Sequence, residues 1–102
     1  MERSYIKNLK AGEKVLLKGW VFEIRGLSKM EFLLLRDMTG IVQCVVKDKG
    51  LVGQISGLSL ESVVEIEGKV KKANIKAELA RHDIEVEVSD LKVLNKAEKL
   101  PI

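Results

Sequence analysis

The chain has little of what several functional classes require. Its single cysteine, Cys44, allows no disulfide within the chain, and together with the lone His82 it offers no recognisable set of zinc ligands. No apolar run approaches the ~18 residues of a membrane helix, and the first ten residues lack the apolar segment of a signal peptide. We therefore predict a cytoplasmic protein without metal, cofactor, small-molecule substrate or membrane partner.

Aromatic side chains are also scarce, at 4% of 102 residues. Three of the four lie in "GWVFEIRGLSKMEFLLLRD", residues 19–37: Trp20, Phe22 and Phe32. A small domain normally buries the few aromatics it has, and we expect Trp20 to pack in the core. Phe22 and Phe32, however, occupy strand positions close to Arg25 and Arg36. The net charge of +3 and the pI of about 9.0 permit a polyanionic partner.

Most of the chain alternates apolar and polar residues with period two, in runs separated by turn signals. We predict five strands, at residues 14–25, 30–36, 41–47, 63–72 and 83–94. Gly19, in the middle of the first run, predicts a bulge or sharp bend, and strict alternation places Ile24 on the same face as Phe22. Residues 48–62 have apolar residues at helical spacing but three glycines, which predicts one or two loose helical turns. Residues 73–81 form a long connection, with or without a helical turn.

Three strands, a short helix and two further strands is the element order of an OB-fold. We therefore predict an all-β protein, a five-stranded Greek-key barrel with a short helix between strands 3 and 4. Residues 1–95 form the domain and residues 96–102 a C-terminal tail or hinge. OB-folds bind oligonucleotides or oligosaccharides on the face of strands 2 and 3, so the pattern alone leaves the ligand open.

The stretch "KGWVFEIRGLSKMEFLLLRDMTGIVQCVV", followed by "ESVVEIEGKV" and "VLNKAEKLP", carries a more specific signal. It closely resembles the N-terminal anticodon-binding domain of the aspartyl- and asparaginyl-tRNA synthetases, of class IIb. Its "FLLLRD" motif is similar to that of the archaeal type. The resemblance covers nearly the whole chain and implies a partner, the tRNA anticodon stem-loop. It includes no catalytic domain, so it implies no aminoacylation by this chain; "LPI" matches the hinge into that domain.

The resemblance also implies roles for individual residues. Phe32 matches the residue that stacks on the middle anticodon base, a uridine, and Gln43 matches the one that hydrogen-bonds its uracil. Arg25 matches a contact to the same nucleotide, Glu85 lies near another anticodon base, and Phe22 near the third.

The chemistry of these side chains agrees with those roles. A base splayed out of an RNA loop needs a flat apolar platform and an amide that reads its edge, and a glutamine donates and accepts at once. Lys29 and Arg36 are expected to hold phosphates. We expect the lysines of residues 69–72 and Arg81 to be solvated, or to form a second RNA contact.

Two other classes of function remain open. A general single-stranded nucleic-acid binder would use the same fold with more stacking platforms. A protein-interaction or dimerisation module, docked on a synthetase-like partner or on itself, would use the apolar residues Leu34, Ile41 and Val45 of the predicted binding face. A lysine tRNA, which shares the middle uridine, also remains a possible ligand.

Overall fold

The structure, a computed structural model, describes residues 2–27, 30–56, 58, 60 and 62–95. After a short 3-10 helix at Ile6–Asn8, its elements are β1 (Lys14–Leu27), β2 (Met30–Asp37), β3 (Gly40–Val46), α1 (Lys49–Ser56), β4 (Val63–Lys72) and β5 (Ile84–Asn95). The five predicted strands are confirmed, with ends that differ by at most two residues, and the short helix predicted within residues 48–62 forms at Lys49–Ser56. The predicted tail, residues 96–102, lies outside the described residues.

The five strands close into one barrel in the order β1-β2-β3-β5-β4, with β4 returning to β1. The pairing of β3 with β5 is parallel, and the other four pairings are antiparallel. The barrel closes between β3 and β5 through a short contact, in which Cys44 pairs with Val86 and Val45 with Glu87. The predicted OB-fold is therefore confirmed.

β1 serves both halves of the barrel, because residues 14–20 pair with β4 and residues 20–27 pair with β2. Immediately before this change of partner, a Cβ on Gly19 would lie 2.3 Å from the backbone oxygen of Arg36. Only glycine allows the two backbones to come so close. The expectation of a sharp bend at this glycine therefore has a physical basis in the structure.

The bulge lies beyond the glycine, at Phe22. The register of β1 against β2 shifts between Val21 and Glu23, so that Phe22 is the additional residue. One additional residue reverses the facing of everything after it. The placement of Ile24 on the same face as Phe22 was wrong for this reason: its side chain packs against the interior cluster.

Aliphatic side chains fill the barrel. The central set, buried to 2% exposure or less, comprises Val15, Leu17, Val21, Leu33, Leu35, Val42, Cys44, Val46, Val64, Ile66, Val70 and Val86. Ile55 of α1 and Ile6 of the 3-10 helix join the same cluster. Burial of one such side chain is worth roughly 1.5–3 kcal/mol, so the interior alone provides the main driving force for folding.

A second apolar layer lies outside the barrel, where the connection between β4 and β5 crosses β2 and β3. Leu34 and Ile41 of the sheet are buried against Ile75 and Ala80 of the connection. The Ile75 N–H donates to the backbone oxygen of His82 at 3.0 Å, which holds the connection as a folded loop. No helix forms in residues 73–81.

Asp37, at the end of β2, is a buried carboxylate with four hydrogen-bond donors. One oxygen accepts from the backbone N–H groups of Thr39 and Gly40 and from the Thr39 hydroxyl. The other accepts from the Ile6 N–H at 2.9 Å. This single side chain therefore shapes the β2–β3 turn and ties the N-terminal 3-10 helix to it.

Gly19→Ala should destabilise the protein by about 2–4 kcal/mol, because the new methyl group must displace the β2 backbone. The matched control is Gly53→Ala in α1, where an added Cβ meets nothing within 4 Å. The control should stabilise by about 0.5–1 kcal/mol through helix propensity. Urea unfolding of both variants measures the difference; equal free energies of unfolding would contradict the close approach.

Cys44 should be inert in the folded protein. Burial, together with the negative charge of Glu85, raises the pKa of its thiol from 9.0 to about 12. At pH 8 a thiol reagent should react roughly a thousandfold more slowly with native than with urea-unfolded protein. Because the unfolded chain loses this proton first, stability should also fall as the pH rises from 9 towards 12. Rapid modification of native protein would show that the thiol is exposed.

Candidate nucleic-acid interface

Three of the predicted RNA-binding residues meet on the outer face of β1, β2 and β3. Arg25 lies opposite Phe32 in the β1–β2 register, and Gln43 lies opposite Leu34 in the β2–β3 register. Together with Glu23 they line one small depression. The bulge at Phe22 makes this possible, because without it Arg25 would face the interior.

Phe32 is half-buried rather than enclosed by the core. Its neighbours on β2, Leu33 and Leu35, fill the barrel interior, so the ring is not needed there. A partly exposed phenyl ring on the outer face of a sheet is compatible with a stacking platform.

Gln43 is oriented by Glu85. The parallel pairing of Cys44 with Val86 sets the two preceding residues side by side, and the Gln43 Nε2 donates to Glu85 Oε2 at 3.4 Å. Because a carboxylate accepts but cannot donate, this contact favours the rotamer that points the amide nitrogen towards Glu85. The second N–H and the carbonyl oxygen of the amide remain as a donor and acceptor pair.

Arg25 forms a weak surface ion pair with Glu23, at 3.4 Å between side chains that are 69% and 41% exposed. Exposed pairs of this kind contribute little, typically below about 1 kcal/mol. A phosphate or a base that approaches Arg25 therefore has only a weak competitor.

Arg36 lies over two aromatic rings. Its guanidinium carbon is 5.6 Å from the Trp20 ring centroid and 6.0 Å from that of Phe22, within cation–π range. Trp20 is half-buried on the outer face and belongs to neither apolar cluster. The expectation that Trp20 packs in the core was therefore wrong. On the outer face of β1, its ring packs against the guanidinium of Arg36.

The apolar residues expected on the binding face are mostly covered. The β4–β5 connection buries Leu34 and Ile41, and Val45 is only 3% exposed. The patch expected for a protein-interaction module is therefore not an open surface. A long-range contact covers it, which period-two alternation does not reveal.

Arg81 is anchored within the protein rather than solvated. Its guanidinium donates to the backbone oxygens of Ile6 and Leu9, at 3.0 and 2.8 Å, and to Asp83 at 2.7 Å. The hydrogen bond from Arg81 holds the pKa of the Asp83 carboxyl below its ordinary value. The expectation of solvent or RNA for Arg81 was wrong, since its donors fasten the β4–β5 connection to the N-terminal segment.

The lysines of β4 are also partly neutralised. Lys71 donates to Glu87, and this hydrogen bond, reinforced by Lys47, lowers the pKa of Glu87. These exposed pairs weaken the case for a second RNA contact on that side of the barrel.

Lys29 lies outside the described residues. Within the part of the chain that the structure describes, no group of three or more acidic, His or Cys side chains is placed to hold a metal ion. Among these same residues, no helix is long and apolar enough to cross a membrane.

Sequence reasoning missed the exposed apolar residues around Phe22. Leu79 is 65% and Met38 84% exposed, and Leu60 is also largely exposed. Leu79 and Phe22 together border two open depressions. In the sequence, Met38, Leu60 and Leu79 are apolar residues within connections, where nothing distinguishes an exposed side chain from a buried one such as Ile75.

The chain is similar to known proteins over nearly its whole length. The family described as OB-fold nucleic acid binding domain matches residues 15–94. The aspartate–tRNA ligase of Mycoplasma capricolum is 43% identical over 90 residues, which cover 87% of this chain and 16% of that ligase. The curated relatives are mostly bacterial, so the expected archaeal type is not supported.

Two solved structures share the fold. Asparaginyl-tRNA synthetase from Pyrococcus horikoshii is 35% identical with a TM-score of 0.84, over 100% of this chain and 24% of the enzyme. Aspartyl-tRNA synthetase from Entamoeba histolytica is 26% identical with a TM-score of 0.87, over 98% and 22%.

The chain spans about one sixth of the length of the curated relatives it matches. The similarity covers their anticodon-binding domain and no catalytic domain. Three findings lead to one assignment: the topology of the barrel, the family match over residues 15–94 and the similarity to these relatives. The chain belongs to the OB-fold nucleic acid binding family, as the anticodon-binding domain found in aspartyl- and asparaginyl-tRNA synthetases.

Proposed function

We propose that this chain binds the anticodon loop of an aspartate- or asparagine-type tRNA and reads its middle uridine. The observation that carries the proposal is the convergence of Phe32, Gln43 and Arg25 on one depression of the barrel's outer face. OB-folds bind oligonucleotides on this face. The family and its synthetase relatives support RNA as the ligand.

In the proposed complex, the uracil ring stacks on Phe32 while Gln43 reads its edge. Stacking on an aromatic ring contributes ~1–3 kcal/mol per base. The amide N–H donates to a uracil carbonyl, and the amide oxygen accepts from the uracil imino N–H. Arg25, on the facing strand, contacts the same nucleotide.

Glu85 makes this readout selective for uracil. Cytosine presents a ring nitrogen acceptor where uracil presents a donor, so its recognition requires the Gln43 amide to flip. Flipping would direct the amide oxygen at the Glu85 carboxylate, where two acceptors oppose each other. Glu85 therefore acts as a positioning residue for Gln43.

The proposed role is RNA binding without aminoacylation, either as one domain of a ligase or in trans beside one. Residues 1–95 supply the binding domain, and residues 96–102 supply the tail or hinge. The cytoplasm, where tRNA is charged, is the proposed location. Docking on a synthetase-like partner or self-association is secondary, because the β4–β5 connection covers the apolar face that it would need.

Phe32→Ala should weaken binding of an aspartate-tRNA anticodon stem-loop by roughly 5- to 150-fold, the equivalent of one lost stack. The same loop with its middle uridine replaced by adenosine should bind wild-type protein more weakly, and this difference should vanish in Phe32→Ala. Fluorescence anisotropy with labelled RNA at one salt concentration measures all four combinations.

Two control variants sharpen this test. Phe32→Tyr keeps the platform and should bind like wild type. Tyr5→Ala removes an exposed aromatic that lies beside Arg3 and should also bind like wild type. Equal, tight binding of both loops would indicate a general single-stranded binder, and no binding of either would refute RNA recognition.

Glu85→Gln should relax the choice between uridine and cytidine at the middle position. A glutamine at residue 85 both donates and accepts, so the Gln43 amide can adopt either orientation. The affinity for the uridine loop should change less than about threefold. The affinity for the cytidine loop should rise towards the affinity for the uridine loop. Unchanged discrimination would show that Glu85 does not orient Gln43; the anisotropy assay with both loops decides.

A further inference from the structure

An open groove of about 840 Å³ lies where the β4–β5 connection leaves the barrel. Two chain segments, residues 9–11 and 72–74, border it, together with Arg81, Asp83 and Ile84 near the start of β5. The groove shares no lining residue with the depressions described above. A ligand bound in it would therefore leave the proposed RNA site free.

One border of the groove is a free strand edge. The Val70 N–H donates to the Glu13 oxygen at 2.8 Å, and the Val70 oxygen accepts from the Gly12 N–H at 2.7 Å. Backbone groups alternate in direction along a strand, so those of Lys72 and Asn74 point to the same side as those of Val70. Gly12 has a φ of 94°, which turns the preceding chain away from β4. Within the described residues, no strand pairs with the edge on this side.

Hydrogen bonds on the opposite side hold this edge in place. The Ala73 N–H donates to the Asp83 oxygen at 3.1 Å, and the Ile75 N–H donates to the His82 oxygen at 3.0 Å. These two bonds continue the β4–β5 ladder past the last residue of β4. An edge that is already ordered loses little conformational entropy when a partner binds. The groove therefore presents backbone donors and acceptors in fixed positions.

Two lysines give the groove a positive charge. Lys10 and Lys72 are exposed, and among the described residues neither forms an ion pair. The third cation, Arg81, is neutralised by Asp83 at 2.7 Å. A ligand that complements this groove therefore carries negative charge.

We infer that the groove binds an extended acidic segment of a protein partner, which adds to the free edge at Lys72 and Asn74. In strand addition, main-chain hydrogen bonds provide affinity and side chains provide specificity. The edge offers both donors and acceptors, and a peptide backbone satisfies both, whereas the phosphates of RNA only accept. From Lys72 to Asn74 the strand advances about 7 Å, which accommodates about three residues of the partner. Their acidic side chains meet Lys10 and Lys72.

Titration of ¹⁵N-labelled protein with a short probe, followed by NMR, tests the inference. The probe is a hexapeptide of alternating glutamate and valine with both ends blocked. It should shift the amide resonances of Lys10, Lys72 and Asn74 and leave those of Phe32 and Gln43 unchanged. The same peptide with every backbone nitrogen methylated keeps its charges but loses its ladder donors. It should bind at least about tenfold more weakly.

Charge reversal tests the role of the lysines. Lys72→Glu should weaken binding of the probe by roughly five- to tenfold, and a peptide with lysine in place of glutamate should bind this variant better than it binds wild type. The matched control is Lys49→Glu at the start of α1. Because β3 and β5 run parallel, α1, which follows β3, lies at the opposite end of the barrel from the start of β5. This control should bind the probe like wild type.

A third variant tests the backbone directly. Asn74→Pro removes one N–H from the edge and should weaken binding of the probe about fivefold, the equivalent of one lost hydrogen bond. Urea unfolding shows whether the variant remains folded. If Asn74→Pro folds poorly, Lys72→Glu and the methylated peptide still decide.

Each alternative has its own outcome. Equal binding of the methylated peptide would indicate charge attraction without strand addition and would overturn the inference. No shift at all would show that the lysines only protect the edge from pairing. Self-association that broadens the resonances of Lys72 and Asn74, or displacement of the probe by the anticodon stem-loop, would assign the groove to a second copy or to RNA and refute a protein partner. The titration itself contains no RNA, so its result is independent of anticodon recognition.

Discussion

The closure of the barrel depends on one close approach, that of Gly19 to the backbone of Arg36. There β1 leaves β4 and begins to pair with β2, and the bulge at Phe22 follows at once. Any side chain at this point would separate the two strands. The same short segment also directs Phe22 and Arg25 outward, so barrel closure and the candidate site share one structural cause.

Two polar anchors outside the barrel decide which part of its surface stays accessible. Asp37 ties the N-terminal 3-10 helix to the β2–β3 turn, and Arg81 ties the β4–β5 connection to the same N-terminal segment. The connection then buries Leu34 and Ile41 but leaves Phe32 half-buried. Two anchored segments thus restrict the accessible part of this sheet face.

Energetics favour an extended contact over a single reading site. One stacked base contributes ~1–3 kcal/mol, whereas a micromolar complex requires about 8 kcal/mol. Phe32 alone therefore cannot hold an RNA loop, and the phosphate contacts that would help are weakened by salt. Contacts beyond Phe32 are therefore required for the proposed complex.

The sequence by itself determined the strands, their order along the chain and the short helix, because alternation and glycine positions are local properties. The candidate residues Phe32, Gln43 and Arg25 came from the resemblance to the anticodon-binding domains, and their roles stay predictions. The facing of Ile24 was missed, because a bulge of one residue reverses alternation without a mark in the pattern. The surroundings of Trp20 were missed because Arg36, which lies over its ring, comes from the neighbouring strand. Likewise, only the tertiary structure decided that Arg81 is anchored, that Leu34 is covered and that Leu79 stays exposed beside Phe22. Each of those outcomes depends on backbone groups distant in sequence, which meet only when the barrel closes.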